Sequence, residues 1–176
     1  MLFRSRSIEI WDTGSRANQF LQEGWLTRAF AAAPVPPNYA ADAIVVGSSE
    51  MGPFASGPAG KTRTVALANT EQFLRQAKLA APAGQAHNAA LNHVLRVEQD
   101  ILQAAAGLRA NYKFQTEFPA TGFGNAVRTA AQVVASPAPV AALKLSIGSF
   151  DTHSGQLGTH ARLLKDLADG LASLKS

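Results

Sequence analysis

The stretch at 140–174, VAALKLSIGSFDTHSGQLGTHARLLKDLADGLASL, decides the fold. It opens on VAALKLSI (140–147), an apolar run after the linker-like turn Ser136-Pro137-Ala138-Pro139, which reads as a core strand. The strand runs into Gly148-Ser149-Phe150-Asp151-Thr152-His153. A helix then begins at Gln156 or Leu157 and continues to Leu174, with Leu163, Leu164, Leu167, Leu171 and Leu174 on one apolar face. A strand that passes through a short loop into a helix is the building unit of an α/β fold. In open α/β sheets ligands sit beyond the carboxyl ends of the strands, so 148–153 is the first place to look for chemistry.

Working outward, 122–135 is an amphipathic helix carrying Val127, Ala130, Ala131, Val133 and Val134, and 114–119 breaks the chain before it. The longest periodic segment, 84–113, keeps Leu91, Val94, Leu95, Ile101, Leu102 and Leu108 at helical spacing. Thr70 caps a shorter helix that ends before Pro82, and 62–68 alternates as a second strand. A Gly/Pro-rich loop fills 48–60, preceded by the buried strand Ala43-Ile44-Val45-Val46-Gly47. At the start, Asp12-Thr13-Gly14-Ser15 is turn chemistry. Asn18 caps a helix to Ala33 whose apolar face is Phe20, Leu21, Trp25, Leu26 and Phe30, and Pro34, Pro36 and Pro37 stop it. The order helix–strand–helices–strand–helix, without internal repeats, makes the class α/β and helix-rich.

Composition narrows the function classes. The 176 residues amount to about one domain. Hydrophobic residues are 47% and charged residues 16%, which excludes disorder and points to surfaces that belong to a larger core. Cysteine is absent, which removes disulfides, thiolate zinc sites and thiol catalysis together. The net charge of +4 has no basic stripe behind it beyond Arg4, Arg6 and Arg16, so nucleic acid is not an expected partner. No run of about 18 apolar residues provides a membrane span. The opening MLFRSRSIEI has positive charge but no apolar core, so it is not a signal peptide.

The strongest chemical candidate is the pair Asp151 and His153. Two residues apart on an extended backbone, they point to one side, and a carboxylate with an imidazole suits zinc, manganese or a similar ion. His160 is a third ligand or a supporting partner, and Gln156 orients ligand or substrate by hydrogen bonding. The competing reading has Asp151 and Thr152 capping the last helix and His153 as an ordinary surface residue. Other patterns carry less. Residues 55–62, ASGPAGKT, fit a relaxed phosphate loop, but the preceding strand ends near Gly47 and Arg63-Thr64-Val65-Ala66-Leu67 looks like strand rather than helix. His87 and His93 are six apart on one helix, on roughly opposite faces. Ser48 and Ser49 come after a strand but have no local base.

Several of these segments together resemble one family. The span from Phe118 to Leu174 is similar to the core of the domain of unknown function 1501 family, bacterial sulfatase-like proteins of the alkaline phosphatase superfamily. The likeness is carried by Ala130-Ala131-Gln132, by Gly148-Ser-Phe-Asp-Thr-His-Ser-Gly-Gln156, and by His160 before the leucine-rich helix. Near the start, Arg6-Ser7, Trp11-Asp12-Thr13-Gly14 and Gly24-Trp25-Leu26-Thr27-Arg28 resemble further family segments. The resemblance implies an alkaline-phosphatase-like sheet with flanking helices, export to the periplasm, and a divalent metal (zinc, manganese or calcium) near Asp151, His153 and His160. It implies a metal-dependent hydrolase of phosphate or sulfate esters, with a small ester as substrate. This chain lacks the family's Gly-Gly-Ala-Asp, Ser-Glu-Phe-Gly-Arg and Thr-Asp-His-Gly segments, and Ile8 stands where a histidine is usual. The expectation is therefore a single partial domain over 1–176, truncated at both ends and inactive alone. The alternative is a non-catalytic binding or assembly protein on the same scaffold, whose uncovered apolar surface favours self-association or a partner chain.

Overall fold

The computed structural model describes residues 2–57, 62–67, 99, 102 and 113–175. Three parallel strands lie at its centre: β1 (Ala41–Val46), β2 (Thr64–Leu67) and β3 (Val140–Leu145), in the order β2-β1-β3. Ile44 pairs with Val65 on one side and with Leu143 on the other. Around them lie α1 (Leu2–Thr13), α2 (Trp25–Ala32), α3 (Gly122–Val134) and α4 (Gln156–Lys175). The class is mixed α/β, as expected. The helices expected at 70–81 and 84–113 lie outside the described residues, except that Gln99 and Leu102 are helical.

The sheet is covered on both faces, which explains why β1 reads as a continuous apolar run rather than an alternating one. All six of its residues are buried. Ile44 and Val46 join Val65, Leu67, Ala126 and Val133 under α3. Ala43 and Val45 face the other way, against Phe54, Leu26 and Phe30. Phe54 arrives on a single 3-10 turn, Gly52–Phe54, within the glycine- and proline-rich loop, and its ring stacks on Phe30 at 6.3 Å. Each fully buried aliphatic side chain of β1 contributes about 1.5–3 kcal/mol relative to exposure.

The N-terminal expectation needs correction. A helix occupies Leu2–Thr13 where no helix was expected, and Asp12 and Thr13 are its last residues rather than a turn. The expected helix from Asn18 is only its second half, Trp25–Ala32, and Phe20 and Leu21 are exposed. The physical reason lies at Gly24. Its extended backbone caps α2, and its N–H donates to the carbonyl of Ala55, so the chain cannot be helical there. Phe20 is held instead by Arg6, whose guanidinium lies 3.9 Å from the ring centroid and also donates to the carbonyls of Ala17 and Gln19.

Two further boundaries shift. β3 ends at Leu145, two residues short of the expected 147, and β1 begins at Ala41 rather than 43. The five leucines assigned to one face of the last helix fall within an arc of about 100°, as expected, but that face is only partly covered. Leu163 and Gly170 are buried, whereas Leu164, Leu171 and Leu174 are exposed. Gly170 explains the choice: a Cβ there would fall 2.8 Å from Cε1 of Phe123, so this small residue sets how closely α4 approaches α3.

Thr121 ties the same pair of helices together. Its hydroxyl accepts from the N–H of Gly124 at 3.0 Å, capping α3, and donates to Oδ1 of Asp166 on α4 at 2.6 Å. Thr121→Ala is expected to cost about 1 kcal/mol through the lost cap, whereas Thr121→Ser should retain most of it. Urea denaturation followed by circular dichroism checks this, and equal midpoints for Ala and Ser variants would remove the cap from the account.

Candidate functional site

Because all three strands are parallel, Val46, Leu67 and Leu145 end at one edge of the sheet. The loop 146–155 leaves β3 at that edge and carries the sequence candidates. It is irregular rather than extended, so the alternating geometry assumed for Asp151 and His153 does not apply. Ser149 adopts a left-handed backbone (φ 71°), uncommon for a residue with a side chain. Gly155 does the same (φ 62°) just before α4. The helix then starts at Gln156, four or more residues beyond Asp151 and Thr152, so neither of them caps it.

His160 is the anchor of this loop. Its Nε2 lies 2.7 Å from the carbonyl oxygen of Phe150, and the two rings are 5.5 Å apart. A carbonyl only accepts, so Nε2 is the donor in this contact. An imidazole that donates one N–H to a backbone carbonyl is oriented in the way that metal-ligating histidines are. Asp151 and His153 are exposed, and between them the hydroxyl oxygen of Thr152 is buried without a hydrogen-bond partner. Gln156 is exposed at the first turn of α4. Among the described residues, no group of three or more His, Asp or Glu comes together that could hold a metal ion. Asp151, His153 and His160 share one loop-and-helix corner but do not form a complete ligand set there.

No protein-family model, curated protein or solved structure matches this chain.

The other sequence candidates separate cleanly. Just after Thr62 the chain enters strand β2, not the helix that a phosphate loop requires, in line with the expectation. The hydroxyl of Ser48 accepts from the N–H of Glu50, which makes it a turn residue. His87 and His93 lie outside the described residues. No helix among the described residues is long and apolar enough to cross a membrane.

Sequence reasoning missed a cleft at the opposite edge of the sheet. It encloses about 780 Å³ and is lined by Glu23, Thr27, Phe30, Val35, Asp42 and Arg63 among others. Asp42 and Arg63 stand near the starts of β1 and β2. Arg63 donates from Nε and Nη2 to Oδ1 of Asp42, at 3.1 and 2.7 Å, and its backbone N–H donates to Oδ2 at 2.8 Å. Nη1 reaches the carbonyl of Tyr39 at 2.6 Å. The clamp joins the starts of two adjacent strands. Because 21 residues separate its members, no local motif could have announced it.

Proposed function

We propose that this chain is an α/β domain of the sulfatase-like, alkaline-phosphatase type, and that its loop 146–155 takes part in binding phosphate or sulfate esters. The observation that carries the reading is the placement of Gly148–Gln156, the segment on which the family resemblance rests. It emerges at the carboxyl edge of a parallel sheet, the edge at which such folds bind ligands. The left-handed Ser149 and the His160–Phe150 hydrogen bond give the loop a defined shape. The same resemblance brings the expectation of a bacterial, exported protein.

The residues in place limit what the site does by itself. Asp151 and His153 offer two donors, and a catalytic metal centre of the zinc type needs three protein ligands. No step through a metal is therefore assigned to this chain, and it is expected to bind rather than to turn over. Calorimetric titration with zinc and with manganese should give binding heat for the wild type that is lost in the Asp151→Ala, His153→Ala double variant. Hydrolysis of aryl phosphates and aryl sulfates should stay at the buffer rate for both. Equal heats in the two proteins would remove the loop from the reading, and turnover by the wild type would show a ligand set larger than the one described.

A second reading, assembly without catalysis, is favoured by the exposed large apolar residues. Trp11 and Phe20 are each 80% exposed, and Leu157 is 88% exposed.

A further inference from the structure

The cleft at the sheet edge opposite loop 146–155 has an apolar wall and, among the described residues, one lining charge without an opposite partner. Phe30, Ala31, Pro34, Val35 and Pro37, from the end of α2 and the segment after it, supply the wall. The proline rings restrict the backbone there, and the Asp42–Arg63 clamp ties the start of the sheet beside it, so the shape is largely set without a ligand. Its volume of about 780 Å³ falls within the range of about 300–1,000 Å³ that small-molecule sites occupy. Asp42 and Arg63 neutralise each other, and Arg63 also serves the carbonyl of Tyr39. Glu23 is different. Among the described residues no hydrogen bond or ion pair holds its carboxylate, and its stem rests against Gly57, where a Cβ would fall 2.6 Å from Cγ of Glu23. Thr27 is the second unsatisfied group. It is 3% exposed, and its hydroxyl has no hydrogen-bond partner. A threonine inside a helix can bond the carbonyl four residues back. Here that carbonyl belongs to Glu23, which precedes the helix and accepts from Nη1 of Arg28 at 2.7 Å.

We infer that the cleft binds a small primary amine with an apolar body, of the arylalkylamine class. The protonated amine pairs with Glu23, and another of its N–H groups reaches the Thr27 oxygen after a small shift of that side chain. The body lies on the wall from Phe30 to Pro37 and removes its apolar surface from water. Charge excludes the opposite sign, because an anion would be repelled by Glu23 and would compete with Asp42 for Arg63. A neutral ligand would cover Glu23 without giving its charge a partner. Size excludes a lone lysine side chain, whose four-carbon stem fills only a small part of the cleft. The site lies at the other edge of the sheet from loop 146–155 and selects the opposite charge from an ester of phosphate or sulfate, so the two readings stand or fall independently.

A ligand-detected NMR titration of the 176-residue chain with phenethylamine tests the site. Binding is expected with a Kd of about 1 mM or tighter, a range open to so small a ligand. Phenethyl alcohol and hydrocinnamate copy the body with no charge and with the opposite charge, and should bind about tenfold more weakly or not at all. Butylamine, which copies the end of a lysine side chain, should bind about fivefold more weakly for want of apolar contact. Glu23→Gln keeps the shape and removes the charge, and should weaken phenethylamine about tenfold while leaving phenethyl alcohol unchanged. Thr27→Val should weaken phenethylamine about threefold, yet hold or raise the urea midpoint, since it removes a buried hydroxyl that has no partner. Absence of phenethylamine binding at about 10 mM overturns the proposal, and so does an alcohol or a butylamine that binds as tightly. An affinity unchanged in Glu23→Gln also overturns it, and one unchanged in Thr27→Val removes Thr27 from the site. The comparison among ligands uses the unaltered chain, so the test holds if a variant fails to fold.

Discussion

Asp42→Ala should destabilise the fold by about 2–4 kcal/mol, a large share of the 5–15 kcal/mol that holds a typical domain together. The Asp42 carboxylate receives three hydrogen bonds, all from Arg63, one of them from its backbone N–H at the entrance to β2. The aspartate side chain is 10% exposed and that of the arginine 21%. Removing the carboxylate takes the acceptor from the backbone N–H of Arg63 and from two of its guanidinium nitrogens, leaving only the Nη1 contact to the carbonyl of Tyr39. Loss of one member of a fully buried pair costs about 3–5 kcal/mol, and the partial exposure of Arg63 lowers that figure. Asp42→Asn keeps the shape and one acceptor, so its loss should be smaller. Guanidinium denaturation of Asp42→Ala, Arg63→Ala and the double variant forms a closed cycle, in which a coupling energy well above 1 kcal/mol is expected. The loss should also persist in about 0.5 M sodium chloride, because salt screens buried pairs much less than exposed ones. A loss that vanishes in salt would make this clamp an ordinary surface ion pair.

How much of the fold is legible in the sequence depends on how local each signal is. β1 could be read because burial on both faces leaves a short apolar run with glycine at its end. α3 and α4 could be read because threonine and glycine mark their starts and their apolar periods are long. The first forty residues misled because Phe20, Leu21, Trp25 and Leu26 keep a helical period that Gly24 interrupts. That interruption is set by Ala55, a contact 31 positions away along the chain that no window of sequence contains. The leucines of α4 misled in a different way. Their periodicity is real and marks one face, but only part of that face is covered, and Gly170 against Phe123 shows which part meets α3. The candidate site was legible as a place, the loop after β3. The shape of that loop was not, since an irregular backbone with a left-handed Ser149 has no sequence pattern of its own.

Gly24→Ala is expected to be among the most damaging single methyl groups in the described part of the fold. Gly24 has an ordinary extended backbone (φ −61°, ψ 150°), so alanine meets no conformational strain there. The obstacle is space. A Cβ would fall 2.0 Å from the carbonyl oxygen of Pro53 and 2.2 Å from its carbonyl carbon, with the carbonyl oxygen of Gly52 at 2.9 Å. These are backbone atoms of the 3-10 turn that delivers Phe54 to the core, so no side-chain rotation relieves the contact. Either the turn moves and Phe54 withdraws from Phe30, or the hydrogen bond from Gly24 N–H to Ala55 breaks. Overpacking of a core costs about 1–3 kcal/mol when side chains can adjust, and a rigid backbone neighbour places this change at about 3 kcal/mol or more. The informative control is Gly158→Ala, on α4, where a Cβ meets nothing within 4 Å. That change should be neutral or stabilising by up to about 1 kcal/mol, from helix propensity. Urea midpoints of the two variants should therefore move in opposite directions from the wild type, or Gly24→Ala alone should move. A Gly24→Ala protein with a wild-type midpoint would show that the 52–54 turn yields without cost, and that Phe54 does not depend on the close approach of Gly24.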